Sequence, residues 1–580
     1  MSRRKLAVLA LVAGLLSLLV AQGGGAAQPL KKKPPKHHVK KHSKPKPKKK
    51  PKPLTPVQEL ARVKHVVVIY EENHSFDNLY GGWEGVNGLS NATAAQKTQV
   101  NQAGTPYTCL MQLDVNLAAV QPQSCSDSTT GTTFTSHFTN DPFTIDDFIK
   151  PTDTTCPPNP NAAFSSPNGF KNGTGSPGGC TRDIVHEFYQ EQYQLNNGAQ
   201  NRYPTGSDAV GLTQGGYNTK ALPVYAYLHS AGHPRYVIAD NFFQSAFGGS
   251  FLNHQFLIAA APPTYANPPA SLRSIIDSNG MPVKYPLYTP TGPVQRGPIT
   301  QACPSAVANR ACGDFAVNTM QPPYQPFGAF GAKLVPQTNP TIGDRLSGAG
   351  LDWAWYSGGW SNADGDTTAP GWTNGAGPNC SDPNVIPGSK YPNCPDGLFQ
   401  FHHQPFNYYA NFAPGTPGRA HLKDEVEFQQ TLGSSSKTCG LKAVSFVKPI
   451  GEENEHPGYA STPNGDSHLV TLLKSIEGSA CAKDTMVIVT YDEFGGQWDH
   501  VTPPGQGGVA GPHDLFGPGT RIPALVLAPG LVNSFGVDHT QYDTTSILKT
   551  IETRYKLQPL SARDAAVNAL TGVYKAKLAK

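Results

Sequence analysis

The chain has 580 residues, of which 38% are hydrophobic and 15% charged, and this balance excludes a protein that is disordered throughout. Its length allows one large domain or two. The formal net charge of +5 does not describe the whole chain, because twelve lysines lie between Lys31 and Lys52 and three basic residues at positions 3–5, while no acidic residue precedes Glu59. Without these fifteen basic residues the remainder carries a net charge of −10.

The first 27 residues have the composition of an export signal. Basic residues at positions 3–5 precede an apolar run at 6–21, and small residues at 25–27 offer a cleavage site to a signal peptidase. A retained membrane anchor is the alternative, although the run is short for a span, which needs ~20 residues. We therefore expect an exported protein that is periplasmic, secreted or associated with the cell envelope.

Residues 28–55 consist mainly of lysine, proline and histidine. A segment with so little to bury is predicted to be an extended, disordered tether. A solvated spacer is the simplest interpretation, and electrostatic adhesion to an anionic membrane or envelope surface is the alternative. We expect no nucleic-acid partner, because no aromatic residues or glycines alternate with the lysines.

Ten cysteines support export, because an even count in an exported chain indicates disulfides. We expect neighbours along the chain to pair, although sequence alone does not fix the connectivity. A metal site is the alternative, and the chain contains no C-x-x-C pair that would favour it. The expected pairs are Cys109 with Cys125, Cys156 with Cys180, Cys303 with Cys312, Cys380 with Cys394, and Cys439 with Cys481.

From residue 63 onward, apolar runs alternate with helical patterns, which predicts an α/β fold with a largely parallel central sheet covered by helices on both faces. Between about 265 and 440 the chain is rich in Pro, Gly, Asn and Trp, and we expect long loop insertions over the sheet there. Residues 56–580 would then form one catalytic domain. The predicted strands are 63–70, 236–240, 443–447, 485–491 and 524–528, and the predicted helices are 254–261, 467–476 and 544–555.

Acidic side chains follow two of the predicted strands directly. Glu71, Glu72 and Asn73 end the first strand, and Asp492 and Glu493 end the fourth. In open α/β sheets ligands collect beyond the carboxyl ends of the strands, and carboxylates gathered there repel one another unless a cation lies between them. Oxygen ligands of this kind suit a divalent metal ion. For each acid alone, capping of the following helix or turn is an alternative.

A serine follows two glycines after the second predicted strand, in the sequence Gly248-Gly249-Ser250. The glycines allow a tight turn and a close approach of the backbone to a ligand. Ser250 then begins an apolar helix, where free N–H groups favour an anion such as phosphate. Beside a metal ion the hydroxyl could act as a nucleophile. A simple N-cap serine is the alternative.

Several of the 18 histidines lie in segments that could bind phosphate oxygens or protonate a leaving group. His402 and His403 precede the sequence Gln-Pro-Phe, His186 begins a helical pattern, and His456 precedes a proline. A single histidine in a loop is more often an ordinary surface residue.

Four segments together resemble the bacterial phosphoesterase family that contains acid phosphatases and phospholipases C. These are VKHVVVIYEENHSFDNLYG (63–81), FGGSFLNHQF (247–256), VSFVKP followed by Glu455-His456-Pro457, and TMVIVTYDEFGGQWDHVTPP (485–504). The resemblance covers about residues 62–556. The family usually has Arg at the position of His74.

The resemblance implies an alkaline-phosphatase-like fold and a metal-dependent serine nucleophile. By position, Glu72, Asn73, Asp492 and Glu493 would hold a divalent metal ion whose identity is unknown, and Ser250 would be the nucleophile and a further ligand. The phosphate site would be lined by His186, His402, His403 and His456. Asp499 and His500 are expected to support the site without touching the substrate.

Within the family, Ser at the nucleophile position and the HHQPF segment resemble the acid phosphatase branch, since the phospholipase branch commonly has Thr there and carries extra C-terminal β domains. We therefore expect a phosphomonoesterase, with a phospholipase C acting on phosphatidylcholine-type lipids as the alternative. A non-catalytic envelope-binding protein is an alternative from another class. It is disfavoured because all five expected metal-binding positions carry suitable residues.

Overall fold

A nine-stranded sheet organises the part of the chain that the computed structural model describes, which comprises residues 52–111, 125–126, 133–134, 137–147, 183–303, 307–458 and 461–579. The predicted signal and most of the predicted tether lie outside these residues. The strands are β1 (His65–Glu71), β2 (Tyr236–Ala239), β3 (Trp353–Ser357), β4 (Leu422–Asp424), β5 (Val444–Lys448), β6 (Thr485–Tyr491), β7 (Ala524–Leu527), β8 (Phe535–Asp538) and β9 (Lys577–Leu578).

The sheet has the order β4-β3-β5-β1-β6-β7-β2-β8-β9. Five of the eight neighbouring pairs are parallel. The strand β7 runs antiparallel to both β6 and β2, and β9 runs antiparallel to β8. The prediction of a largely parallel sheet is therefore confirmed, with the reversed β7 as a feature that the sequence pattern did not indicate.

Every residue of β6 is buried, as is every residue of β1 after His65. Successive side chains of a strand point to opposite faces of the sheet, so burial of both sets means that both faces are covered. The helices are α1 (Pro56–Leu60), α2 (Phe76–Leu79), α3 (Ala94–Lys97), α4 (Phe188–Leu195), α5 (Pro223–Leu228), α6 (Ser250–Ala259), α7 (Ile342–Gly348), α8 (Trp360–Asp364), α9 (Glu425–Ser434), α10 (Thr462–Glu477), α11 (Thr545–Tyr555) and α12 (Ala562–Ala566).

The five predicted strands and three predicted helices are present, with shifts of a few residues at their ends. The stretch 265–440 differs from the expectation, because it contributes β3 and β4 to the central sheet as well as loops. The sequence of β3, Trp-Ala-Trp-Tyr-Ser, contains no β-branched run, and β4 has only three residues. Neither therefore produced the pattern on which strand prediction relies.

Three of the predicted disulfides are present, Cys303–Cys312, Cys380–Cys394 and Cys439–Cys481. The pairs Cys109–Cys125 and Cys156–Cys180 depend on side chains outside the described residues, although Cys109 is itself disulfide-bonded. Within the described part of the chain, the helices are all too short or too polar to cross a membrane.

Candidate active site

The acidic residues that follow β1 and β6 lie side by side at the carboxyl edge of the sheet. These two parallel strands pair in register, with Glu71 opposite Tyr491, so Glu72 and Asp492 are the next residues on adjacent strands. The Asp492 N–H donates to the Glu71 carbonyl at 3.1 Å. The side chains of Glu72, Asp492 and Glu493 are all fully buried. The structure therefore brings together the carboxylates that the sequence analysis assigned to one site.

Asn73 joins the two strand ends. Its backbone is in the left-handed region, with φ of 62°, and its N–H donates to Oδ1 of Asp492 at 3.0 Å. The same oxygen accepts the N–H of Glu493 at 2.8 Å. Gly495 lies so close that a Cβ there would be 2.2 Å from the Asn73 carbonyl oxygen. The tight packing of these two loops therefore requires the glycine and fixes where the Asn73 amide points.

Ser250 is the first residue of α6 and lies in front of the carboxylates. Its hydroxyl donates to Oε2 of Glu72 at 3.1 Å. The preceding Gly248 has φ of 86°, and a Cβ there would be 2.5 Å from the backbone nitrogen of Phe188. The glycine pair therefore allows the turn that places the hydroxyl at the helix N-terminus, where backbone N–H groups favour a bound anion.

A buried carboxylate, Glu191 of α4, holds the turn that precedes Ser250. Its side chain accepts the N–H of Gly248 at 2.5 Å and the N–H of Thr520 at 2.7 Å, as well as the side-chain amide of Gln244 at 2.9 Å. Gln244 in turn accepts the N–H of Phe494 at 2.9 Å, next to Glu493. The serine turn and the Asp492–Glu493 loop are thus connected through two buried side chains that the sequence analysis did not identify.

His403 and His254 stack beside Glu72. Their ring centroids are 5.2 Å apart and nearly parallel, and Nε2 of His403 lies 3.0 Å from Oε1 of Glu72. His254 donates from Nδ1 to the Ser250 carbonyl at 2.8 Å. His254 was not among the residues predicted for the site. His254 could have been predicted from its position four residues after Ser250, because this spacing places both residues on one face of a helix.

His186 and His456 both face the Asn73 amide. The Nδ1 atom of His186 donates to the Ile184 carbonyl and that of His456 to the Pro457 carbonyl, each at 2.6 Å. The Nε2 atoms are therefore acceptors, at 3.4 Å and 3.0 Å from the amide nitrogen of Asn73. This pair of contacts turns the amide oxygen of Asn73 away from the imidazoles.

Lys448, the last residue of β5, is a further residue that the sequence analysis missed. Its side chain is fully buried and forms an ion pair with Oε1 of Glu72. The ammonium group also donates to the backbone carbonyls of Tyr70 and Glu71, at 2.9 Å and 3.2 Å. A polar residue at the carboxyl end of an apolar strand was the signal that could have identified it.

Crowding of buried acids shifts the pKa values at this site. Burial and the neighbouring Glu72 raise the pKa of Asp492 to about 7, and burial and Asp492 raise the pKa of Glu493 well above its ordinary value. Burial alone would raise the pKa of Glu72, but His403 and Lys448 outweigh it and hold that pKa well below the ordinary value. Burial lowers the pKa of His403 to about 4. Burial and mutual repulsion therefore favour the protonated forms of Asp492 and Glu493 when no cation lies between the acids.

The donor atoms fit a divalent cation. Among the described residues, the Asn73 amide oxygen and Oε1 of Glu493 are buried and have no hydrogen-bond partner. Unpartnered buried oxygens are costly, and an oxygen-rich set that includes several carboxylates is what hard divalent cations prefer. One nitrogen or oxygen atom from each of Glu72, His254 and His403 also lies within 4.8 Å of the others.

A cleft with a volume of about 650 Å³ opens in front of the serine. Ser250 is on its wall together with His186, His402 and His456, which the sequence analysis assigned to the phosphate site. His403 lies behind His402 and contacts Glu72. Charged residues also line the cleft, namely Asp183, Glu187, Asp208 and Arg296.

Asp499 and His500 lie in a separate buried cluster. The guanidinium of Arg521 donates to both carboxylate oxygens of Asp499, at 3.1 Å and 3.2 Å, and to Oδ1 of Asp77 at 3.0 Å. His500 contacts the other oxygen of Asp77 through Nδ1 at 2.5 Å. Because these charges are paired, the cluster holds the WDH segment against α2, as expected for supporting residues.

A model of the phosphoesterase family matches residues 63–558. The chain belongs to the phosphoesterase family. The matched segment contains the acidic residues, the serine turn and all four predicted histidines. Family membership thus agrees with the resemblance of the four sequence segments. The matched residues include most of the described part of the chain.

Similar curated proteins are phospholipases C by name. Phospholipase C B of Mycobacterium tuberculosis is 32% identical over 157 residues, which are 23% of this chain and 29% of that protein. Non-hemolytic phospholipase C of Burkholderia pseudomallei is 28% identical over 176 residues, 26% of this chain and 25% of the other. Non-specific phospholipase C4 of Arabidopsis thaliana is 28% identical over 192 residues, 28% of this chain and 35% of the other. The chain thus spans a quarter to a third of the length of these relatives.

Similar solved structures include a 2-O GAG sulfatase, at 12% identity and a TM-score of 0.29, covering 64% of this chain and 72% of the other. A member of the alkaline phosphatase superfamily from Vibrio parahaemolyticus has 12% identity and a TM-score of 0.27, with 63% and 66% covered. With scores this low, the description of the fold rests on the sheet and helices themselves.

Proposed function

We propose that this chain hydrolyses phosphate esters, with Ser250 as the nucleophile. The observation that carries the proposal is the hydrogen bond from the Ser250 hydroxyl to Glu72, at the N-terminus of α6 and beside the buried acids Asp492 and Glu493. A hydroxyl in this position is already aligned with a carboxylate that can accept its proton, and it faces the cleft. Membership of the phosphoesterase family supports the same chemistry.

In the proposed reaction, the Ser250 oxygen attacks phosphorus and the bond to the leaving oxygen breaks. The serine proton passes along its existing hydrogen bond to Glu72, and an imidazole of the cleft wall, His186, His402 or His456, which first takes up a second ring proton, protonates the leaving oxygen as an imidazolium. A water molecule then attacks the phosphorus of the phosphoserine and gives its proton to the imidazole that has just lost one, while the bond to the Ser250 oxygen breaks and that oxygen regains its proton from Glu72. The N–H groups at the start of α6 and the cleft imidazoles bind the phosphate oxygens.

The divalent cation would be held by Glu72, Asn73, Asp492 and Glu493, with the Ser250 oxygen as a further ligand. When bound, a cation of this kind lowers the pKa of a hydroxyl and balances negative charge on the reacting phosphate. In this arrangement His186 and His456 orient the Asn73 amide so that its oxygen is free to bind the cation.

Two classes of ester are candidates for the substrate. The serine at the nucleophile position and the HHQPF segment favour a phosphomonoester, and the reaction would then be that of an acid phosphatase. The relatives are phospholipases C by name, which favours a phospholipid, and the reaction would then be that of a phospholipase C. The three disulfides support export of the enzyme to an oxidising compartment in either case.

The proposal is tested with the purified protein and its Ser250→Ala variant on a soluble phosphomonoester, a soluble phosphodiester and phosphatidylcholine. The wild-type protein should hydrolyse at least one class, and the variant none. Hydrolysis by the variant at a rate near that of the wild type would reject the serine as nucleophile. A wild-type protein inactive on all three would support the non-catalytic, envelope-binding alternative.

A further inference from the structure

An exposed apolar loop lies at the mouth of the active-site cleft. Residues 326–332, Pro-Phe-Gly-Ala-Phe-Gly-Ala, include no polar side chain, and Phe330 at the tip is 89% exposed. Exposed loops are normally built from polar and turn-forming residues, and a fully exposed phenylalanine has no role in the core. We refer to residues 326–333 as the rim loop.

The base of the rim loop is fixed to the cleft wall. Gln321 donates its N–H to the Ala332 carbonyl and accepts the N–H of Leu334, both at 2.8 Å, and its side chain accepts the N–H of Gly328 at 2.8 Å. Ala332 lines the cleft that contains Ser250. These bonds hold the rim loop beside the cleft. Phe330 at its tip is two residues along the chain from Ala332.

Two further exposed apolar side chains lie within three residues, along the chain, of residues that line the cleft. Val335, 37% exposed, follows the rim loop, and Ile275, 46% exposed, is three residues from Leu272, which lines the cleft. The exposed Lys333 places its ammonium group 3.0 Å from the ring centroid of Phe327. The rim loop thus combines a protruding aromatic side chain with a cation.

These features fit a phospholipid bilayer better than a protein partner. A protein recognises a protruding aromatic side chain with a shaped pocket and a wider apolar surface around it, whereas the interfacial layer of a bilayer accepts an isolated aromatic group beside a lysine. The headgroup layer also carries phosphate esters, the chemistry that the cleft is proposed to hydrolyse.

We propose that the rim loop inserts Phe330 into the interfacial layer of a phospholipid bilayer, with Lys333 at the headgroup phosphates, and so places the cleft over membrane-borne esters. The inference rests on the proposed function, because it assumes that the cleft hydrolyses phosphate esters. Of the two candidate substrates, it requires the phospholipid. Binding itself does not depend on turnover, so it can be measured in a protein that lacks the Ser250 hydroxyl.

The test measures binding of the full chain, with Ser250→Ala, to sonicated phosphatidylcholine vesicles at high salt, where attraction through the lysine-rich segment is screened. Phe330→Ala should lower the partition coefficient about tenfold, because most of the aromatic area leaves the interface. Phe330→Trp should bind as tightly as the parent protein and shift its fluorescence to shorter wavelength on the vesicles. Equal binding of the Phe330→Ala protein and its parent would overturn the proposal.

Val532→Ala is the matched control, because Val532 is an exposed apolar residue, 68% accessible, at the opposite edge of the sheet. Val532 follows β7, which runs antiparallel to β6, and Leu527 at the end of β7 pairs with Val487 near the start of β6. Val532 therefore follows the end of β7 that is remote from Asp492. Binding should be unchanged by this substitution, and an equal loss in both variants would contradict a specific role for the rim loop. In the protein with Ser250 intact, Phe330→Ala should retain hydrolysis of a soluble ester, so failure of the docking proposal is separable from failure of the catalytic one.

Discussion

The hydroxyl of Ser250 donates a hydrogen bond of 3.1 Å to Glu72, which lies 178 residues earlier in the chain. Glu72 follows the central strand β1, and Ser250 begins α6 after the separate strand β2. The sheet therefore brings together two segments that are remote in sequence. One carries the proposed nucleophile, and the other carries the proposed acceptor of its proton. This contact is the geometric basis of the proposed chemistry.

Replacing Glu191 with Gln should lower kcat about 10- to 100-fold with little change in KM, because small displacements of a nucleophile have effects of this size. The carboxylate accepts N–H groups from both Gly248 and Thr520. The amide of glutamine would present hydrogens to some of these donors and would displace the turn that carries Ser250. Steady-state kinetics on a soluble phosphate ester measure the effect.

Glu552→Gln provides the control for this prediction, since Glu552 is a buried carboxylate on α11 whose pKa burial raises to about 8. It should change stability without a selective fall in kcat. A fall in kcat of similar size in both variants would show that Glu191 acts through general stability and not by positioning the serine.

Removal of divalent cations with a chelator should abolish hydrolysis and lower the Tm, and adding a cation back should restore both. The physical reason is that a bound cation offsets the repulsion between the buried carboxylates, and it stabilises the folded state because only that state forms the site. Asp492→Asn should weaken cation affinity at least about tenfold, because the site loses a charged ligand. Differential scanning fluorimetry during metal titration measures both effects.

A second group that could hold a cation, formed by Glu425, Glu453 and His468, offers the matched control. Glu425→Gln should leave the cation dependence of hydrolysis unchanged. If the cation affinity that governs activity fell in this variant and not in Asp492→Asn, the assignment of the metal site would be wrong.

Arg521→Met should destabilise the protein by about 3–5 kcal/mol, because it leaves two buried carboxylates without their partner. Arg521 donates to Asp77 and Asp499 and also to the carbonyls of Asn87 and Asp240. Chemical denaturation measures the free energy of unfolding. The exposed ion pair of Arg62 with Glu59 is the comparison, and Arg62→Met should cost less than about 1 kcal/mol.

The stability contributed by His468 should be lost as the pH rises. Burial lowers the pKa of His468, but the carboxylates of Glu425 and Glu453 raise it more, to about 9 from an ordinary 6.5. Because the folded-state pKa is the higher one, the contribution is fully present below pH 6.5 and disappears as the pH passes about 9. It is on the order of 3 kcal/mol at most.

Urea denaturation of the wild-type protein and His468→Gln across this pH range measures that contribution. The difference in unfolding free energy between the two proteins should be largest below pH 6.5 and should shrink toward pH 9. A difference that grows over the same interval would contradict the assignment of a protonated His468 between the two carboxylates.

The sequence predicted the features of the fold that depend on strong local patterns. The β-branched run of β1 and the apolar run of β6 were placed within two residues of their ends. Polar residues at the ends of these strands could be assigned to one site because parallel strands share a carboxyl edge. The strand β3 was missed because its Trp-Ala-Trp-Tyr-Ser sequence lies in a loop-rich stretch, and the direction of β7 depends on tertiary pairing that local pattern does not encode.

In the candidate site, too, the residues in strong local motifs could be predicted from the sequence, and the residues defined by packing could not. Glu72, Asp492 and Ser250 each lie in a recognisable motif, and the structure brings them together. Lys448 and Glu191 lie in segments whose local patterns indicate only a strand and a helix. Their roles arise from burial against partners more than fifty residues away, as in the contact between Glu191 and Gly248. Partners of this kind follow from packing, which sequence patterns do not specify.

The most direct test of the account is to identify the residue that carries phosphate during turnover. The enzyme would be mixed with a phosphate ester, quenched in denaturant at neutral pH within the first turnovers, digested at the same pH and analysed by peptide mass spectrometry, so that phosphoserine and phosphohistidine both survive. The account predicts one phosphoryl group on Ser250 in the wild-type protein and none in Ser250→Ala. Phosphate on a histidine, or turnover by Ser250→Ala at the wild-type rate, would contradict it.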